Sequence, residues 1–413
     1  MRKGIYKKFI RILILEALFF LFIPFIYSDE KCLSCHGNKE VIKEERLFVD
    51  KYIFEESSHG SLTCKDCHKN INLIDNRHEK VVPEVNCTSG CHQEGRTEES
   101  PIFYKDSVHG KAVERGEKEA AKCWDCHTKH NIRSSKDPKS STYRMNIPIT
   151  CSACHEDMTV VLKFNIHKEK PYANYRKSVH GRGLFEDGLI NFSAVCTDCH
   201  GVHTIKGVPA TEASSPKTCG RCHIKIFEDY SESIHGREAL RKNPDAPLCV
   251  DCHGEHSIKF PYDKESKISP LKVSDTCSEC HARPEIMKKY GVPVDRVESF
   301  LESFHGIAIG YGYKAVANCT SCHGVHKILP ASDPNSTIHP SNLKNVCGQK
   351  NCHPGMPEKI ANQKIHRVYG KDNKGVYYLR VILVWVVIII LVVTFIWVIP
   401  DIVHRVKNRI KGQ

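Results

Sequence analysis

The chain has 413 residues, with 22 cysteines, 25 histidines and a formal charge of +12. Its length suffices for two or three ordinary domains, but this cysteine and histidine usage does not describe ordinary cores. A disulfide framework is excluded by spacing: every cysteine belongs to a pair closed by a histidine directly after the second cysteine.

In chain order, residues 1–28 read as a signal peptide or an uncleaved N-terminal anchor. Arg2, Lys3, Lys7, Lys8 and Arg11 form a basic start, and Ile12 to Ile26 are mostly apolar. Ser28 is small enough to precede a cleavage site, although no A-x-A pattern is present. Both readings put the following residues outside the cytoplasm.

The paired cysteines begin at once. Nine sets have the form C-x-x-C-H. The first five are Cys32, Cys35 and His36; Cys64, Cys67 and His68; Cys123, Cys126 and His127; Cys151, Cys154 and His155; and Cys196, Cys199 and His200. The other four are Cys219, Cys222 and His223; Cys249, Cys252 and His253; Cys277, Cys280 and His281; and Cys319, Cys322 and His323. Two sets are stretched, that of Cys87, Cys91 and His92 by one residue and that of Cys347, Cys352 and His353 by two. C-x-x-C-H is the attachment signature of c-type haem. The thiols add across the vinyl groups, and the adjacent histidine reaches the iron. Structural zinc normally combines two cysteine pairs and gives no reason for a histidine after every pair. The expectation is eleven covalently attached haems c. Two propionates on each then make the basic surplus a counterweight, and no nucleic-acid partner is implied.

Between the motifs the chain repeats. The pattern [F/Y]-x-x-S-x-H-G recurs at 54–60, 104–110, 175–181, 230–236 and 300–306, and supplies His59, His109, His180, His235 and His305. Two haem motifs follow each copy. The result is a solitary haem site (29–50) and five two-haem modules at about 51–100, 101–170, 171–226, 227–295 and 296–366. Four modules carry another histidine three residues past the first attachment histidine: His130, His203, His256 and His326. The first module has Ile71 there, and His78 is the candidate to replace it. The repeat reads as a short helical turn bearing serine and histidine and ended by glycine as a C-cap. With His78, His167, His339 and His366, the exported part holds thirteen histidines for eleven second ligands, and His78 and His366 are taken with the repeat histidines as iron ligands. Bis-histidine ligation is expected throughout. Which histidine serves which iron stays open.

Residues 367–380 form a juxtamembrane segment. His366, Arg367, Tyr377, Tyr378 and Arg380 there resemble a quinol or haem site, and read more simply as an ordinary interfacial stretch. Residues 381–400 form a transmembrane helix: from Val381 to Ile399 the only polar side chain is Thr394, a run of about 29 Å at the helical rise. Residues 401–413, with Arg405, Lys407, Arg409 and Lys411, form a basic tail that belongs in the cytoplasm. The haem domain (29–366) then lies in the periplasm or elsewhere outside the cytoplasm, on the cytoplasmic membrane.

At about 31 residues per haem, protein alone cannot build a core around each cofactor. The expected fold is mainly α with long loops, little or no sheet, and an elongated array scaffolded by haem. Segments 134–141 and 330–336 read as solvent loops. The doubled C-x-x-C-H motifs and the S-x-H-G repeat resemble the multiheme cytochromes c, in the style of class III. Membrane-bound proteins of this kind are similar in role to the NapC/NirT quinol dehydrogenases. Those carry an N-terminal anchor and fewer haems, so the C-terminal anchor here suggests an integral-membrane, cytochrome b-type partner between the chain and quinol. The resemblance implies electron transfer between the quinone pool, met directly or through such a partner, and a periplasmic or surface acceptor. The alternative is a multiheme oxidoreductase with one open iron acting on nitrogen or sulfur oxyanions, although C-x-x-C-K is absent.

Overall fold

The computed structural model describes residues 30–74, 77–79, 82–93, 100–166, 170–206, 215–361, 365–366 and 374–411. Residues 1–29, His167 and residues 367–373 lie outside the described residues.

About half of the structure is helical, and the strand-like pairing among the described residues is a single bridge between Ile74 and Arg77. Among the described residues before 374 the helices have nine residues or fewer, too short to be stable on their own. Nor does an apolar core compensate. Tyr175, Leu184 and Val195 form a small buried cluster, with Ile147 and Phe185 against it.

The chain divides into two compact units, 1–218 with 256–258, and 219–255 with 259–413. The three-residue excursion has a local cause: Val179 N–H donates to Ile258 O at 2.8 Å. The same bond recurs as Ser58 to Ile132 (2.7 Å), Val108 to Ile205 (2.9 Å) and Ile234 to Ile328 (2.9 Å). Each bond ties the residue before a repeat histidine to a residue of the following module.

Segments 134–141 and 330–336 are loops, exposed over most of their length, and each is anchored by one buried serine near its end. Ser140 and Ser336 are buried and bond back to Arg133 O and Leu329 O. Asn146 and Asn342 each donate to two carbonyls of their turn, which closes it. Residues 259–272 repeat the arrangement with buried Ser266. These turns join the two motifs of a module and are closed by their own hydrogen bonds.

At the C-terminus a helix runs from Lys374 to Ile410, 37 residues, long and apolar enough to cross a membrane. It continues through a π-helical turn at Thr394–Val398. Pro400 lacks an N–H and interrupts regular bonding there, and Thr394 Oγ1 donates to Ile390 O at 2.8 Å. The basic tail is therefore helical as far as Lys411.

Candidate haem centres

The first motif of each module sits on a single helical turn: Cys64–Cys67, Cys123–His127, Cys196–His200, Cys249–His253 and Cys319–His323. In four of them an aspartate between the cysteines turns back to accept from the N-cap N–H. These bonds are Thr63 to Asp66 (2.6 Å), Lys122 to Asp125 (2.7 Å), Val195 to Asp198 (2.7 Å) and Leu248 to Asp251 (2.6 Å). In the fifth, Ser321 accepts from Asn318 at 3.1 Å. A left-handed residue ends the turn directly after the histidine: Gly201, Gly254 and Gly324 at φ 81–83°, and Thr128 at 67°. Glycine adopts that backbone without cost. Thr128 is held in it by its hydroxyl, which donates to Asn131 O at 2.8 Å. The turn sends the histidine three residues on away from its neighbour, so the two serve different partners. Two second motifs sit at the C-terminal ends of longer helices, Ile147–His155 and Val273–His281, whereas the short helix Leu343–Cys347 reaches only the first cysteine of its motif.

In modules two to five the S-x-H-G segment starts a helix; it does not end one. Ser107, Ser178, Ser233 and Ser303 are N-caps, and each accepts from the glycine N–H three residues on at 2.9–3.2 Å. A serine N-cap satisfies one of the free donors of a helix start. Each hydroxyl also donates to the carbonyl of the repeat aromatic at 2.6–2.7 Å. The glycine is required by contact, not by capping: at Gly110, Gly181, Gly236 and Gly306 a β-carbon would lie 1.8–2.2 Å from that same carbonyl oxygen. Tyr175 and Tyr230 then donate to Ala194 O (2.8 Å) and Pro247 O (2.6 Å), and Tyr104 to Ala121 O, each two residues before the next first motif. The helix bearing the repeat histidine is thus fastened to the helix bearing a C-x-x-C-H motif.

The histidines meet in pairs. The repeat histidine faces the second attachment histidine of its own module: His59 with His92, His109 with His155, His235 with His281, and His305 with His353, ring centres 6.0–6.1 Å apart. The histidine three past a first motif faces the first attachment histidine of the preceding module. These pairs are His130 with His68, His203 with His127, His256 with His200, and His326 with His253, at 6.0–6.3 Å. The ends follow suit, with His78 facing His36 at 5.9 Å and His366 facing His323 at 6.3 Å. His180 lies one residue into the Val179–Phe185 helix, at the repeat position, and His223 precedes the Ile224–Glu232 helix. His339 bonds Ser341 within its turn at 2.7 Å.

These pairs fit haem iron. With a metal–imidazole bond of about 2 Å, rings on opposite sides of one ion have centres about 6 Å apart, the spacing found in all ten. At three histidines Nδ1 is engaged, which leaves Nε2 for a metal. His36 Nδ1 bonds Leu47 O (2.9 Å), His78 Nδ1 bonds Glu79 O (2.7 Å), and His366 Nδ1 bonds Ser299 Oγ (2.9 Å), whose own proton goes to Arg296 O. Burial, then the facing imidazole, lowers the pKa of His109, His235 and His323, the last two to about 4, so the rings stay in the neutral, coordinating form. The cysteines form no disulfides, and among the described residues no three His, Cys, Asp or Glu side chains converge as tetrahedral zinc requires.

Consecutive motifs also touch. The thiol of Cys87 meets Cys123 and that of Cys151 meets Cys196; in the second unit Cys219 meets Cys249 and Cys277 meets Cys319. Cys67, Cys126, Cys252 and Cys322 in turn neighbour the motif after their own. Within each unit the attachment sites therefore adjoin in chain order.

The chain does not enclose every attachment cysteine in protein. Cys67, Cys91, Cys199, Cys222 and Cys352 are exposed. All five are the second cysteine of their pair. Their surroundings are local: Cys91 neighbours Cys67, Cys199 neighbours Cys196 and Tyr175, and Cys352 neighbours Cys347 and Cys322. A backbone turn places Cys222, whose N–H donates to Cys219 O (3.2 Å). Burial alone would therefore pass over these five as site residues. The physical reason is that such short helical turns cannot wrap both thiols of a pair, and addition to a vinyl group requires an accessible thiol.

Residues 42–155 match the class III cytochrome C family. The matched segment ends on His155 and holds four of the motifs, those starting at Cys64, Cys87, Cys123 and Cys151. The similarity of this segment supports covalently bound haem c and haem-mediated electron transfer. No curated protein and no solved structure matches the chain.

Sequence reasoning missed the pairing between modules and the capping serines. A signal for the first was present. His130, His203, His256 and His326 are each followed two residues on by isoleucine, and His366 by Val368. That H-x-[I/V] pattern sets them apart from His167 and His339.

Proposed function

We propose that the chain is a membrane-anchored, extracytoplasmic conduit carrying electrons through eleven c-type haems. It runs between the quinone pool, reached directly or through an integral-membrane cytochrome b-like partner, and a periplasmic or surface acceptor. The observation that carries this reading is the pairing of ten attachment histidines with a second histidine about 6 Å away. Haem so held supplies reversible one-electron chemistry. The chain's part is to hold each site with two cysteines and two imidazoles, keep those imidazoles neutral, and set successive sites side by side. The apolar C-terminal helix supports the anchor. The alternative, an oxidoreductase with one open iron, draws no support from these ten sites. His92 and His353, which close the two stretched motifs, face second histidines at the same spacing as the others.

The test is made in membranes holding the full chain. Quinol should reduce the haems, a soluble ferric acceptor should reoxidise them, and nitrite or sulfite should not turn over. Haems that stay oxidised with quinol, or turnover of either oxyanion, would overturn the proposal.

A further inference from the structure

The five repeat copies serve as internal controls for one another, and the fifth differs at its surface. The residue after the repeat aromatic is Glu55, Lys105, Arg176 and Ser231 in the first four modules and Leu301 in the fifth. Two residues past the histidine, Lys111, Arg182 and Arg237 give way to Ile307. Six past it, Arg115, Glu186 and Arg241 give way to Tyr311, and eight past it Glu117, Gly188 and Asn243 give way to Tyr313. All four replacements are exposed: Leu301 by 48%, Ile307 by 50%, Tyr311 by 81% and Tyr313 by 65%. Charged counterparts show that the first three positions face away from the packing shared by the modules. Phe304 is left out of the patch, since Val108, Val179 and Ile234 are apolar at its position in modules two to four. Leu301 and Ile307 lie together, because the Leu301 Cα packs against Gly306.

What covers this face is indicated by its neighbour. Glu302, next to Leu301, pairs at 4.0 Å with Arg380, the last residue before the apolar run. The patch thus adjoins the point where the C-terminal helix would enter lipid. Its two tyrosines beside leucine and isoleucine are side chains suited to the membrane–water boundary.

We infer that the Leu301–Tyr313 face rests in the lipid headgroup interface of the membrane that the C-terminal helix crosses. This inference depends on the anchor proposed above. It makes the fifth module, with the His305/His353 and His323/His366 sites, the part of the conduit that meets the membrane.

The full-length holoprotein is reconstituted alone into phosphatidylethanolamine–phosphatidylglycerol vesicles containing a diazirine-bearing lipid, photolysed, and mapped by peptide mass spectrometry. Label is expected in 381–399 and in 301–313, and not in the counterpart helices 179–185 and 234–240. Ile307→Arg with Tyr311→Arg restores the charges of the other modules, and should abolish label in 301–313 while leaving the Soret band and the label in 381–399 unchanged. Label in 381–399 alone would overturn the lipid contact and leave the face for a protein partner. Equal label in the counterpart helices would also overturn it, and absence of label from both segments would remove the anchor itself.

Discussion

Gly236→Ala tests whether the repeat places an iron ligand by contact. The added carbon would sit 1.8 Å from Tyr230 O and 2.5 Å from the Tyr230 carbonyl carbon. Relief requires the Ile234–Leu240 helix to retreat by about 1 Å, since such carbons keep about 3 Å from their neighbours. The retreat opens the Ser233 Oγ bond to Tyr230 O (2.6 Å) and strains the Gly236 N–H bond to Ser233 Oγ (2.9 Å). Loss of a cap costs about 1 kcal/mol and overpacking about 1–3 kcal/mol. The displacement matters more than the energy, because His235 is the adjacent residue. A shift of about 1 Å is half a metal–imidazole bond length. Gly236→Ala should therefore reproduce His235→Ala, converting one low-spin ferric haem to high-spin in low-temperature EPR. Ser233→Ala removes the cap without adding bulk and should keep the haem low-spin. A Gly236→Ala protein with an unchanged spectrum would refute the contact argument.

Three further outcomes follow from the geometry. His203→Ala and His127→Ala, alone or combined, should each perturb a single haem by EPR, because the two rings face each other at 6.0 Å; two perturbed haems in the double variant would separate them. The rings of His127/His203, His200/His256 and His253/His326 lie within 12–21° of parallel, and those of His109/His155, His235/His281 and His305/His353 cross at 55–60°. Two classes of low-spin signal, rhombic and strongly anisotropic, are expected, and one uniform class would contradict these angles. Burial first, then the nearby Cys123 and Cys126 side chains and Asp125, pushes the Tyr104 phenol up to about 12. The folded state favours the neutral phenol, so its contribution is full below about pH 10 and is lost as pH rises through about 12. An alkaline titration of the low-spin signal should show that loss in the parent and not in Tyr104→Phe, and identical curves would rule it out.

How far the sequence led can be judged at particular residues. The paired cysteines and their histidines stand out in the sequence because covalent haem attachment would dictate such spacing. That held even for Cys199 and Cys352, whose exposure gives no structural hint of a site. The mainly helical fold followed from the small length of chain per haem motif, too little to build a core around each cofactor. His109 and its counterparts were legible as repeated histidines, but their setting was not. Serine before and glycine after suit either end of a helix, and the contact of Gly110 with the Tyr104 carbonyl is visible only in three dimensions. Partner choice was hidden for a similar reason. His200 and His203 are three residues apart, yet the left-handed turn at Gly201 sends them to different partners, and the bond between Val179 and Ile258 decides which. The buried Ser140 and Ser336 read as loop residues because their burial depends on carbonyls seven residues away.

The measurement that bears most directly on the account is the ferric spin state of the detergent-purified full-length protein, quantified by low-temperature EPR against total haem iron. Eleven low-spin haems and no stoichiometric high-spin signal is the result that a bis-histidine conduit predicts. One high-spin haem per chain would mean an iron open to substrate, and would contradict it.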